Sequence, residues 1–184
     1  MKTQAWRTHA RWWVLGLLLV TGTAQAGQKQ VGGVNMPDSL TLQGRTIALA
    51  HMQLQKRLFF KLYVWSLYLE EQPRSASEAI SSNSVKRLHF RFLRSITRDQ
   101  LVGSLRHGLQ KNPDLRQGPM ADHLQVMLSS LKDVQNGEDL VLTYMPGVGL
   151  EVAGGASGGA FIPGKGFADA LFSVWLETHP IFPR

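Results

Sequence analysis

The chain has 184 residues, 43% of them hydrophobic and 18% charged, with 18 Gly, 8 Pro and no Cys. This is the size and apolar content of one globular domain, and it excludes a disordered tail, a collagen-like repeat and a disulfide-stapled miniprotein. The absence of cysteine removes thiol nucleophiles, dithiol redox motifs and Cys-based zinc sites. The balance of 20 Lys+Arg against 13 Asp+Glu is a net +7, with no basic block of the kind that grips nucleic acid.

The N-terminus predicts export. Lys2, Arg7 and Arg11 precede a short apolar run from Trp12 to Val20, and Ala24-Gln25-Ala26 supplies a small-x-small cleavage pattern. Residues 1–26 therefore read as a signal peptide cut after Ala26, and the expected compartment is the periplasm. The apolar run is well short of the ~20 residues needed to span a bilayer.

Residues 27–38 are polar and Gly-rich, and read as a flexible lead-in to a domain over 39–184. Strands are predicted at Leu40–Leu42, at Thr46–Ala50 and along one long run from Leu54 to Leu69. That run is largely apolar on both faces, so layers should cover it on both sides. Pro73 to Ser84 is breaker-rich, with room for one helical turn. Val85 to Leu93 alternates as a half-buried strand, its Leu88, Phe90 and Phe92 facing inward. The nearby Lys86, Arg87, Arg91, Arg94 and Arg98 read as the polar face. Contact with anionic lipid headgroups is the lesser expectation these cations raise, and no nucleic-acid partner is expected.

Thr97-Arg98-Asp99-Gln100 has the form of a capping box, and Leu101, Leu105 and Leu109 follow at helical spacing. Asn112-Pro113 ends that helix, and Gly118-Pro119 opens another with Met120, Leu124, Met127, Leu128 and Leu131 as its stripe. Asn136-Gly137 and Pro146-Gly147 are turns around strands at Leu140–Tyr144 and Leu150–Val152. A further strand near Ala160–Ile162 precedes a helix over Lys165–Leu176. This order of elements describes an α+β fold with a mostly antiparallel sheet.

The chemistry-bearing motifs mostly dissolve on inspection. Gly155-Ala156-Ser157-Gly158-Gly159 matches a nucleophile elbow, with Asp169 and His179 in hydrolase order, but two predicted strands flank it and a hairpin loop accounts for it better. Gly164-Lys165-Gly166 lacks the Ser or Thr of a phosphate cradle. His51, His89, His107, His123 and His179 form no pair at metal-ligand spacing, so neither metal nor cofactor is expected. Glu70-Glu71 and Glu138-Asp139 fall at strand ends, where charge is ordinarily solvated.

One feature stands out. Along the long strand Gln55, Arg57, Phe59, Lys61, Tyr63 and Trp65 share a side if no bulge intervenes. Two cations, an amide and a phenol among aromatics are costly to bury unpartnered, and would suit the polar end of an apolar pocket for a carboxylate or phenolate. The competing reading lets Arg57 and Lys61 snorkel to the sheet rim.

Phe59-Phe60-Lys61-Leu62-Tyr63-Val64 with Leu67-Tyr68-Leu69 resembles a strand of the chalcone isomerase-like family. Tyr144-Met145-Pro146-Gly147-Val148-Gly149, Phe167-Ala168-Asp169-Ala170-Leu171-Phe172 and Trp175-Leu176 with Pro180 resemble the family's closing turn and helix. The resemblance spans Leu40 to Pro180. It implies an open-faced β-sandwich, a large antiparallel sheet covered by a layer of helices with a ligand cleft between them. It also implies a choice of function, because the family includes chalcone isomerases and fatty-acid binders. The isomerases' substrate-holding Arg, which bacterial relatives keep in a Gly-x-Gly-x-Arg stretch, falls here on Gln55. The two glycines become His51 and Gln53, the strand Thr becomes Tyr63, and the helical Tyr has no counterpart. The expectation is a non-catalytic periplasmic protein that binds a small amphipathic ligand such as a fatty acid, with Gln55, Arg57, Lys61 and Tyr63 at the head group and Phe59 and Trp65 at the apolar part. The alternatives are an isomerase or intramolecular lyase acting on a chalcone-like enone, and a scaffold whose cleft is filled by its own side chains.

Overall fold

A computed structural model describes residues 27–155, 158–178 and 181; the expected signal peptide lies outside them, as do Ser157 and His179 of the elbow motif. The first two strands, β1 (Gln28–Val31) and β2 (Val34–Pro37), pair with each other. Their turn is Gly32-Gly33, both at positive φ, a conformation that glycine adopts without a Cβ penalty. The segment expected to be a flexible lead-in is thus a hairpin: its polar residues alternate with Val34 and Met36, which are buried.

Seven further strands make one sheet in chain order: β3 (Ser39–Leu42), β4 (Arg45–Arg57), β5 (Phe60–Leu69), β6 (Lys86–Phe92), β7 (Asp139–Met145), β8 (Gly149–Gly154) and β9 (Gly158–Pro163). Every neighbouring pair is antiparallel. Gly154 pairs with Gly158, so the elbow-like motif stands between two antiparallel strands rather than between a strand and a helix. Helix α1 (Ala76–Ser81) joins β5 to β6, α2 (Arg98–Leu109) and α3 (Gly118–Ser130) join β6 to β7, and α4 (Gly166–Thr178) follows β9. Thr97 closes a full capping box on α2, and Asn112 caps a single 3-10 turn at Pro113–Arg116.

The four helices of the described residues lie on one face of the sheet. Trp65, Leu67, Leu88, Phe90, Phe92, Leu142, Leu150 and Val152 from the strands close on Leu101, Leu109, Leu124, Met127, Leu128, Phe167, Leu171 and Phe172 from the helices. Each such side chain contributes about 1.5–3 kcal/mol on burial, which is what fixes the helical layer. The other face is covered only in part, where Val34 and Met36 of the first hairpin pack on Met52 and Val64. This is the α+β architecture the element order and the resemblance both imply.

The long predicted strand is two strands. The chain reverses at Leu58-Phe59, with Leu58 at φ 54 and Arg57 paired to Phe60. Neither residue signals a turn, so apolar continuity masked the reversal. Two register shifts follow, one between Leu49 and His51 and one between Gln55 and Lys56, opposite which Leu62 is the extra residue.

Candidate functional site

Between the sheet and helices α2 and α4 lies a cavity of about 360 Å³. β5 and β6 contribute Tyr63, Phe90 and Phe92, whose rings meet edge-on at 5.7 and 5.8 Å from Tyr63. The Trp175 ring of α4 stands 5.7 Å from Phe90 and closes one side. From α2 come Leu101, Leu105 and Leu109, one apolar residue per turn, interleaved with Ser104 and Gly108. The small residues keep the space open: a Cβ on Gly108 would meet no atom within 4 Å. Polar groups are few, namely the Tyr63 and Ser104 hydroxyls, the Trp175 indole N–H and the Lys111 ammonium. Such an apolar lining with sparse polar groups is the composition of a small-molecule site, at the lower end of the usual ~300–1,000 Å³. Burial raises the Tyr63 phenol above its ordinary 10.0, so at neutral pH it is a hydrogen-bond donor and not a phenolate.

Two larger grooves adjoin this cavity. One, of about 770 Å³, runs past Lys111, Asn112 and Asp169 and shares Lys111 and Val174 with it. The other, of about 640 Å³, runs under the start of α2 past Arg57, Phe60 and Leu62 and shares Ser104 with it. Among the described residues no cluster of His, Asp or Glu could hold a metal ion.

The six residues predicted to share a strand face do not converge. Tyr63 alone lines the inner cavity. Trp65 faces the same way but is 1% exposed within the core, its ring tilted 38° against that of His51 at 4.8 Å. Gln55 sits directly across from Tyr63 and is half-buried beside the cavity face. Beyond the Leu62 bulge the alternation reverses. Lys61 turns to the opposite face, where its Nζ donates to the Gly32 carbonyl at 3.4 Å. Arg57 is exposed on the outer groove, and Phe59, at the turn, is 96% exposed. A face of two cations and an aromatic continuous with Tyr63 therefore does not exist, because a bulge and a reversal each flip the pattern. Of the residues that do form the cavity, Phe90, Phe92, Leu101 and Leu105 are legible in the sequence as core positions, and Gly108 is not. The signal of a site was Ser104 and Gly108 set into the leucine stripe of α2, where a packed helix would carry larger side chains.

A meander sheet covered on one face by helices, with an aromatic-lined cavity at their junction, defines the class as an α+β fold with a cleft between sheet and helices. The chain belongs to the chalcone isomerase-like family, whose sequence model matches residues 28–182. Among solved structures it is similar to a fatty-acid-binding protein of Arabidopsis thaliana, with a TM-score of 0.55 over 83% of this chain and 88% of that one. Identity between the two is 14%, so the likeness is one of fold. No curated protein sequence matches the chain.

Proposed function

We propose that this protein is an exported, non-catalytic carrier of a small amphipathic acid, with a fatty acid as the leading ligand class. The observation that carries the reading is the cavity itself: about 360 Å³, walled by Phe90, Phe92, Leu101, Leu105 and Trp175, with Tyr63, Ser104, Lys111 and the Trp175 indole as its side-chain donors among the described residues. An acyl chain fits such a wall, and a carboxylate finds a neutral phenol and an ammonium. The fatty-acid-binding title of the structural neighbour supports the same class. The resemblance sets Gln55 at the position of the isomerases' substrate-holding Arg, and a neutral amide there supports binding over turnover.

The test uses the mature protein purified from the periplasm, read by native mass spectrometry and by extraction of bound small molecules. A reproducible amphipathic acid is expected in the wild type. Gly108→Phe fills the cavity from a position where a Cβ is unobstructed, and should lower occupancy at least ~10-fold while leaving the circular dichroism unchanged. A clean apo mass in the wild type, or a ligand retained in Gly108→Phe, would refute the assignment. Cyclisation of a chalcone above the spontaneous rate, lost in Tyr63→Phe, would replace it with the isomerase reading.

A further inference from the structure

The most exposed apolar side chains of the described residues are consecutive. Leu58 is 84% exposed, Phe59 96% and Phe60 60%, and together they form the tip of the β4–β5 hairpin. A soluble chain gains nothing by holding two phenylalanines and a leucine in water at a turn where Gly or Asn would serve. The tip is collared by cations. Lys56, Arg57 and Lys61 stand on its two strands, and the Arg94 guanidinium lies 5.2 Å from the Phe60 ring centroid. All four are exposed, and none forms an ion pair among the described residues. Asp99, which lines the same groove as Arg57 and Arg94, faces Arg98 at 3.5 Å.

We propose that the β4–β5 hairpin is a membrane-docking finger for bilayers that contain anionic phospholipid. Leu58, Phe59 and Phe60 enter the boundary between headgroups and acyl chains, while Lys56, Arg57, Lys61 and Arg94 meet the phosphates above them. The charge pattern selects this partner. An apolar tip alone would suit many surfaces, but a tip inside a ring of unpaired cations matches a layer that is apolar below and anionic at its rim. Lipid attachment of useful strength takes two signals, and the hairpin supplies both within six residues of chain and one neighbour. The groove of about 640 Å³ starts at this tip, at Leu58 and Phe60, and reaches Ser104 on the wall of the inner cavity. Docking would therefore set the bilayer against the approach to the cleft. That last consequence rests on the carrier reading; the docking does not.

The experiment is flotation with phosphatidylcholine vesicles, with and without phosphatidylglycerol. The wild type should float only with the anionic vesicles and be released in ~1 M salt, where screening shortens to about 3 Å. Phe59→Ser combined with Phe60→Ser should weaken binding at least ~10-fold, and Lys56→Gln with Arg57→Gln and Lys61→Gln should reduce it to the neutral-vesicle level. Because the chain has no native cysteine, Phe59→Cys carrying an environment-sensitive dye gives a second readout. It should brighten on anionic vesicles, whereas dye at Val148→Cys, 53% exposed on a distant turn, should not. Gly108→Phe should float like the wild type, so failure of docking and failure of the carrier reading are separable. Absence of flotation, an unaffected tip variant or a silent dye would overturn the proposal. So would a concentration-dependent dimer without flotation, dissolved by the Phe59→Ser and Phe60→Ser pair, which would make the tip a contact between copies.

Discussion

At the scale of single residues Lys86 is the exceptional group. Strand parity sets it on the same face as Leu88, Phe90 and Phe92, and it is 1% exposed. Grouping it with the polar face followed its charge instead of its position, and the structure corrects that: Arg87, His89 and Arg91 form the polar face, where Arg87 donates to Thr143 and Arg91 pairs with Asp139. Lys86 is kept by partners. Its Nζ donates to the carbonyls of Ile80 at 3.1 Å and Ser82 at 2.7 Å, closing the end of α1, and lies 5.1 Å from the Tyr144 ring centroid and 3.9 Å from Asp169. Burial nevertheless dominates the neighbouring Asp169 charge and lowers the ammonium from 10.5 to about 8. Below about 8 both folded and unfolded chains hold the proton and this group adds no pH dependence. Between about 8 and 10.5 only the unfolded chain holds it, so stability climbs with pH. Urea unfolding from pH 7 to 10 should show that climb in the wild type and lose it in Lys86→Met. Near pH 10 the sign reverses, because burial raises Tyr63, Tyr68 and Tyr144 and the folded chain then keeps protons the unfolded chain releases.

At the scale of elements the hairpin between β4 and β5 decides where the site lies. The capping box at Thr97, the breaker at Asn112-Pro113 and the turns at Gly137 and Gly147 all appear where the sequence places them, because each is written in residues with a local conformational reason. The reversal at Leu58-Phe59 has no such residue. It is imposed by pairing, since β5 finds Tyr63 to Leu69 a partner in β6 on one side and in β4 on the other. Leu58 consequently sits at φ 54, a region that costs a residue with a Cβ about 1–2 kcal/mol. At 84% exposure its side chain offers little packing in return. Leu58→Gly should therefore raise the free energy of unfolding by about 1 kcal/mol, read as a higher urea midpoint with an unchanged slope. The same variant should bind anionic vesicles more weakly, so the strain is a cost the fold carries for what the tip does. A midpoint that fell would mean that Leu58 packs in solution.

At the scale of the whole molecule, fold class was legible because each strand pairs with its chain neighbour, and local hairpins leave a trace in turn residues and alternation. The site was not, because it depends on how α2 and α4 settle over β5 and β6, a long-range relation that two register shifts reset by one residue each. The first hairpin is the clearest case of long-range control. Taken alone, residues 27–38 are too polar and too few to fold, and a lead-in is the local expectation. The sheet changes that, because β5 is apolar on both faces and only one is covered by helices. Val34 and Met36 fill the gap over Met52 and Val64, while the Tyr68 hydroxyl donates to the Pro37 carbonyl at 3.0 Å and Lys61 reaches Gly32. The hairpin is therefore part of the core, and Met36, 2% exposed, is its keystone. Met36→Ala should cost about 2–5 kcal/mol in urea unfolding, the range for emptying a buried methionine site. Phe59→Ala, at a side chain that touches almost nothing, should stay within about 0.5 kcal/mol of the wild type. A chain shortened to begin at Ser39 should expose Met52 and Val64 and bind a hydrophobic dye that the full chain excludes. Equal midpoints for the full and shortened chains would return residues 27–38 to the status of a tail and place the whole of the stability in the helical layer.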